Sequence, residues 1–195
     1  MSEITRMVVV LSLIAGFCSA ALTLANVQLG PKIQEQTDFY VRGPALERLF
    51  NKPAKEVLKN KVIIPTETGD VPVFFTREGD KVSALAVEAV GKGGFGGDLK
   101  IMVGIDLINE RQTGMEVVSH SETPGLGARI EEIAFRRQWN GLPIDEPIAV
   151  TADGGIIDSI SGASTTSRAA VKGTNEVLDF IRLKKAEILQ RIAKL

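Results

Sequence analysis

Asp158-Ser159-Ile160-Ser161-Gly162-Ala163-Ser164-Thr165-Thr166-Ser167 places five hydroxyl side chains in the seven positions from Ser161 to Ser167, where a short apolar strand pattern gives way to a helical one. From about Ser164 to Leu195, Val171, Leu178, Ile181, Ile188 and Ile192 fall on one stripe, which predicts a long amphipathic helix. Two readings of the hydroxyl cluster stand side by side. One hydroxyl accepting from the first-turn N–H groups would cap the helix and contribute on the order of 1 kcal/mol. A cap needs only one hydroxyl, however. Free N–H donors and the positive end of the helix dipole also make such a junction a phosphate site.

Upstream, the pattern is that of strands. Val71 to Thr76 and Val82 to Val90 are joined by Arg77-Glu78-Gly79-Asp80, a hairpin signal. Leu99 to Ile108 is a mostly apolar run suited to a central strand, and Gly114 to His120 follows after a short turn. Ala128 to Trp139 has helical spacing, whereas Ile148 to Thr151 and Ile156 to Ile160 read as two further short strands. Pro44 and Pro53 open two short helical stretches, Ala45 to Phe50 and Ala54 to Leu58, inside a segment spanning 32–70 that reads as a helical connection. Consecutive strands with helices at both ends predict an α+β domain over 71–195 with a largely antiparallel sheet.

Two other segments are richer in glycine and small polar residues than a core requires. Gly91, Gly93 and Gly96 fit G-x-G-x-x-G, but a dinucleotide fingerprint must open a helix, and here another strand pattern follows. A hairpin or cofactor-edging loop is the better expectation. His120-Ser121-Glu122-Thr123-Pro124-Gly125-Leu126-Gly127 reads as a Thr-Pro turn whose glycines take positive φ. The same glycines would let a planar ligand approach the main chain closely.

The composition divides the chain. Lys and Arg number 23 against 24 Asp and Glu, a formal charge of −1, which lacks the basic excess expected of a nucleic-acid protein. No charged residue lies between Arg6 and Lys32. Met7 to Leu29, as a helix at about 1.5 Å per residue, would reach roughly 34 Å and cover a bilayer core. Residues 1–31 are therefore expected to form a retained single-span anchor. Cys18-Ser19-Ala20-Ala21 offers small residues for cleavage as a secretory signal, but the apolar run continues to Leu29. The charges flanking the span are too few to orient it. One cysteine and one histidine exclude a disulfide framework, a cysteine-based metal centre and a multi-histidine site.

Asp158-Ser159-Ile160-Ser161-Gly162-Ala163-Ser164 resembles the Asp-x-x-(Ser/Thr)-Gly-Ala-(Ser/Thr) motif of the FMN-binding domain family, in which FMN is joined through its phosphate to the last hydroxyl. The Glu122 to Gly127 loop, the glycine loop near Phe95 and the single apolar span extend the resemblance over nearly the whole chain. Together they are similar to the G subunits of Rnf-type ion-translocating ferredoxin:NAD⁺ oxidoreductases. The C subunits of sodium-translocating NADH:quinone reductases share both motifs but are usually longer. Family members most often carry Thr at the attachment position, where this chain has Ser164, which supplies the same β-hydroxyl.

The resemblance implies covalent FMN on Ser164, with Ser161, Gly162, Ala163, Thr165 and Thr166 around its phosphate and Glu122, Thr123, Gly125 and Leu126 near the flavin ring. Thr165 is the neighbouring candidate acceptor. It further implies a flavin transferase for maturation, partner subunits in a membrane complex, and a flavin domain on the outer, periplasmic face of a prokaryotic inner membrane. Nothing in the sequence supplies a nicotinamide site or an acid–base pair, so the expected role is electron relay. An anchored scaffold without flavin and a free-standing flavin reductase are the competing classes.

Overall fold

The computed structural model describes residues 2–67 and 69–194. Met1, Thr68 and Leu195, on which some of the expected segment limits fall, lie outside the described residues. The chain forms two compact units, the first ending at Tyr40 and the second beginning at Val41. The first is essentially helix α1 (Glu3–Thr37), which contains the charge-free run and continues through Pro31. It is long and apolar enough to cross a membrane, and the residues of its most apolar stretch are exposed.

The second unit is a five-stranded antiparallel sheet in simple sequential order: β1 (Lys61–Thr66), β2 (Gly69–Glu78), β3 (Lys81–Gly94), β4 (Gly97–Asp106) and β5 (Arg111–Ser119). Both faces are covered, which is why β3 and β4 are apolar almost continuously instead of alternating. Helix α5 (Ser164–Ile192) lies on one face over Val87, Leu99, Ile101 and Val103. Helix α2 (Gly43–Phe50) brings Leu46 and Leu49 to the other, over Phe74, Ala86 and Met102. Pro44 sits in the first turn of α2, and the Glu47 carboxylate accepts from the Ala54 N–H at 2.8 Å, at the start of α3 (Ala54–Val57).

Three expectations need correction. The helical connection over 32–70 ends early, because 61–66 is the edge strand β1. Val62 and Ile64 point inward in period two, while Pro65 is tolerated at an edge, where a missing N–H breaks no ladder. The two short strands after Ile148 shrink to one parallel bridge between Val150 and Ile157. Side chains take the place of strand partners there: Asn175 pairs with both backbone groups of Ile148, at 2.9 Å each, and Gln138 with those of Asp158, at 2.7 and 3.2 Å. The helix expected over 128–139 is broken into a 3₁₀ turn (Gly127–Glu131), helix α4 (Ile133–Arg136) and a second 3₁₀ turn (Arg137–Trp139). Extended Glu132 (ψ 135°) interrupts it and turns Ile133 out to solvent.

Helix α5 approaches β3 unusually closely. A Cβ on Gly91 would lie 2.5 Å from the Ala169 carbonyl oxygen, and one on Gly173 would lie 3.1 Å from the Gly91 backbone. Buried Trp139 fastens the same helix by donating to Thr174 Oγ1 at 2.9 Å. Gly91→Ala is therefore expected to overpack this contact at a cost of about 1–3 kcal/mol. At roughly 2–4 °C per kcal/mol for a chain of this size, thermal unfolding should show a clear fall in the midpoint. An unchanged midpoint would mean that helix and strand separate freely.

Candidate functional site

The hydroxyl cluster forms the last turn of loop and first turn of helix at the start of α5. Gly162 takes φ 80°, a left-handed conformation that glycine reaches without a side-chain penalty, and so aims the chain into the helix. Ser167 is fully engaged: its Oγ accepts from the Ile160 N–H at 3.0 Å and donates to the Ala163 carbonyl at 3.1 Å. Thr166 is 0% exposed and its Oγ1 has no hydrogen-bond partner among the described residues. Ser161, Ser164 and Thr165 are exposed. The residue preceding α5 is Ala163, and no side chain caps the first turn. None of the clustered hydroxyls does what the capping reading required. The first-turn N–H groups of this 29-residue helix thus have no side-chain cap among the described residues.

Gln138 holds the backbone of Asp158, and Arg168 donates to both oxygens of Asp153 at 2.7 and 2.9 Å, joining α5 to the preceding turn. The Arg168 hydrogen bond holds the Asp153 carboxyl below the usual carboxylate range. The pair's small contribution is thus present above the ordinary carboxylate pKa and lost as pH falls through the lowered value. Both partners are exposed, so salt screens them. Arg168→Gln should flatten the acid limb of a stability–pH curve, most visibly at low salt.

The Glu122 to Gly127 loop meets this turn. The Leu126 N–H donates to the Thr123 carbonyl at 3.1 Å across Pro124 and Gly125 (φ 77°), the pattern of a type II turn. Thr123, Gly125 and Leu126 are exposed. Leu126 approaches the Gly162 turn, since a Cβ on Gly162 would be 3.3 Å from its Cδ2. The third glycine segment completes the arrangement as the β3–β4 hairpin, and no helix follows it. A Cβ on Gly96 would strike the Ser121 carbonyl at 2.1 Å, so hairpin and loop touch backbone to backbone.

Glu122 lies between them. Only 6% exposed, it has no hydrogen-bond partner on either carboxylate oxygen among the described residues. A Cβ on Gly94 would come 2.4 Å from Oε1, and one on Gly127 would come 2.1 Å from Oε2. Two glycines thus hold open the space that the carboxylate occupies. His120 fixes the approach: its Nδ1 accepts from the Glu122 N–H at 3.1 Å, and its Nε2 lies 3.1 Å from Glu131 Oε1. Beside these groups Phe95, 78% exposed, stands at the hairpin tip, and Leu126 is 47% exposed.

The structure therefore brings together all three segments singled out in the sequence. Sequence reasoning missed Gly94 and Gly127 as the walls around Glu122, and Gln138 as the brace behind Asp158. The glycines were visible as glycines; what a side chain there would strike was not. These residues fit FMN: an uncapped helix start with an exposed hydroxyl and a left-handed turn before it for the phosphate, and orphaned buried acceptors on a neighbouring loop for an N–H donor of the ring. Among the described residues no group of three or more His, Cys, Asp or Glu side chains is placed to hold a metal ion.

Comparisons with known proteins identify the type of domain. The model of the FMN-binding domain matches residues 94–179, from the hairpin through the first half of α5. An Aliivibrio fischeri protein named as the G subunit of an ion-translocating oxidoreductase complex is 31% identical over 168 residues, covering 83% of this chain and 73% of that one. The Haemophilus influenzae protein of the same name is 28% identical, covering 93% of both chains. A crystal structure of the C subunit of the Na⁺-translocating NADH-quinone reductase from Parabacteroides distasonis shares the fold with a TM-score of 0.63. It is 19% identical and covers 78% of this chain and 94% of that one. The chain belongs to the family of ion-translocating oxidoreductase complex G subunits, built on an FMN-binding domain.

Proposed function

We propose that this chain is the membrane-anchored electron-relay subunit of an Rnf-type ion-translocating oxidoreductase complex, carrying FMN as a phosphoester on Ser164. The observation that carries the reading is the uncapped start of α5, where the Gly162 turn that leads to exposed Ser164 meets Leu126 of the loop holding Glu122. The names of the relatives supply the complex. Bound FMN supplies reversible electron uptake, and the chain's own residues orient it and set its surroundings.

On this reading the first-turn N–H groups of α5 hold the negative charge of the phosphodiester. Gly162 and Ala163 leave the hydroxyl unobstructed. The Glu122 carboxylate, lacking a protein donor, accepts a hydrogen bond from the polar edge of the ring, and Phe95 and Leu126 shield its apolar part. Attachment is the work of a separate transferase that uses FAD. A bond forms between Ser164 Oγ and the FMN phosphorus, the pyrophosphate linkage breaks, AMP leaves, and the hydroxyl proton passes to a base. Helix α1 keeps the chain in the membrane lipid beside its partner subunits, with the flavin domain on the periplasmic side of the inner membrane.

The test is the full chain co-expressed with a flavin transferase and purified in detergent. A yellow protein whose mass is raised by one esterified FMN, but which does not oxidise NADH alone, is the expected result. A colourless protein without added mass would leave the scaffold reading standing. A C-terminal reporter that is active only outside the cytoplasm checks the side of the membrane.

A further inference from the structure

The sheet face under α2 carries a charged cluster that the flavin does not use. Glu116 on β5 is almost buried and lies between two arginines. Arg48 of α2 donates through Nε to its Oε2 at 2.6 Å, and Arg136 of α4 pairs through Nη1 with its Oε1. Arg136 also donates through Nε to the Glu131 carbonyl at 2.9 Å. The terminal nitrogens of Arg48, the guanidinium of Arg137 and the side-chain amide of Asn140 have no hydrogen-bond partner among the described residues. All these side chains line one small cavity of about 120 Å³, with Ile133 at its edge.

A cavity of that size has room for several water molecules or one small oxyanion. Three guanidiniums against one carboxylate leave a surplus of two positive charges around it. Because Glu116 already holds Arg48 and Arg136, part of the ordering cost is met before a ligand arrives. The free donors are planar guanidinium forks, which match phosphate oxygens in geometry as well as in charge. Asn140 adds a neutral donor. Exposed Ile133 offers an apolar shoulder for a ligand that carries a chain.

We infer that this cavity binds a phosphate-type oxyanion, presented either by an anionic phospholipid headgroup or by a soluble phosphate. The full chain in neutral detergent micelles is titrated with inorganic phosphate at constant ionic strength and followed by calorimetry. Saturable binding is expected, weakened about tenfold or more in Arg137→Gln, as befits loss of hydrogen bonds to a charged group. Arg137→Glu should abolish it. Among the described residues Arg137 makes no side-chain hydrogen bond, so both variants should unfold at the wild-type midpoint without phosphate. The Arg137 variants leave the α5 start untouched, so binding lost in them belongs to this cavity. If phosphatidylglycerol doped into the micelles displaces phosphate and phosphatidylcholine does not, a lipid is the source. If neither lipid changes the phosphate isotherm, the soluble anion is. Wild-type affinity in Arg137→Glu, or the absence of any saturable binding, overturns the assignment.

Discussion

Ser164→Ala should abolish the covalent flavin outright: the fluorescent band that survives denaturing electrophoresis falls to background and the added mass disappears. The expectation rests on what each neighbouring hydroxyl is already doing. Ser167 is tied to Ile160 and Ala163 by two hydrogen bonds, and Thr166 is fully buried, so neither can take a phosphate without unwinding the first turn of α5. Ser161 is exposed but precedes the Gly162 turn, on the loop side of the junction. Only Ser164 and Thr165 present an exposed hydroxyl on the first helical turn. Ser164→Thr should restore the band, because it returns the hydroxyl with only a methyl added. Thr165→Ala should keep the band, and Thr166→Ala should keep it at some cost in stability. A band lost in Thr165→Ala and kept in Ser164→Ala would move the attachment by one residue.

The parts of this architecture that showed in the sequence are those written in local pattern. The α5 stripe, the β2–β3 hairpin and the apolar β4 each follow from periodicity over ten or more residues, and the charge-free run before Lys32 follows from composition. Strand β1 did not show, because Lys61 and Pro65 interrupt a six-residue signal whose inward residues are only Val62 and Ile64. The region from Ile148 to Ile160 misled for a different reason. Its apolar pairs have strand propensity, but Asn175 and Gln138 compete for the backbone groups that a strand neighbour would need. Such a side-chain substitute, from a residue about twenty or more positions away, leaves no local trace. The same applies to the space around Glu122: Gly94 and Gly127 lie 28 and 5 residues from it, and only their meeting in three dimensions gives them meaning.

That meeting sets up the second large effect. Gly127→Ala would place a Cβ 2.1 Å from Glu122 Oε2, 2.8 Å from Cδ and 2.9 Å from Cβ. Rotating the carboxylate alone clears only the first of these, so the loop itself must shift. Leu126 lies against the Gly162 turn, so the shift reaches the residue pair leading into Ser164. Overpacking of this kind costs about 1–3 kcal/mol. The unfolding midpoint should drop by roughly 2–4 °C for each kcal/mol. The flavin should still be attached, since Ser164 is untouched, but its ring should lose the Glu122 acceptor and fluoresce more like free FMN in solution. Adding Glu122→Ala to Gly127→Ala separates the two consequences. Removing the carboxylate relieves the clash, so the double variant should recover much of the lost stability, with a coupling of about 0.5–3 kcal/mol as contacting residues show. The flavin spectrum should not recover with it, because the acceptor is gone in either case. Additive stability losses would show that Gly127 and Glu122 do not share one space. A wild-type flavin spectrum in Glu122→Ala would place the polar edge of the ring against some other group.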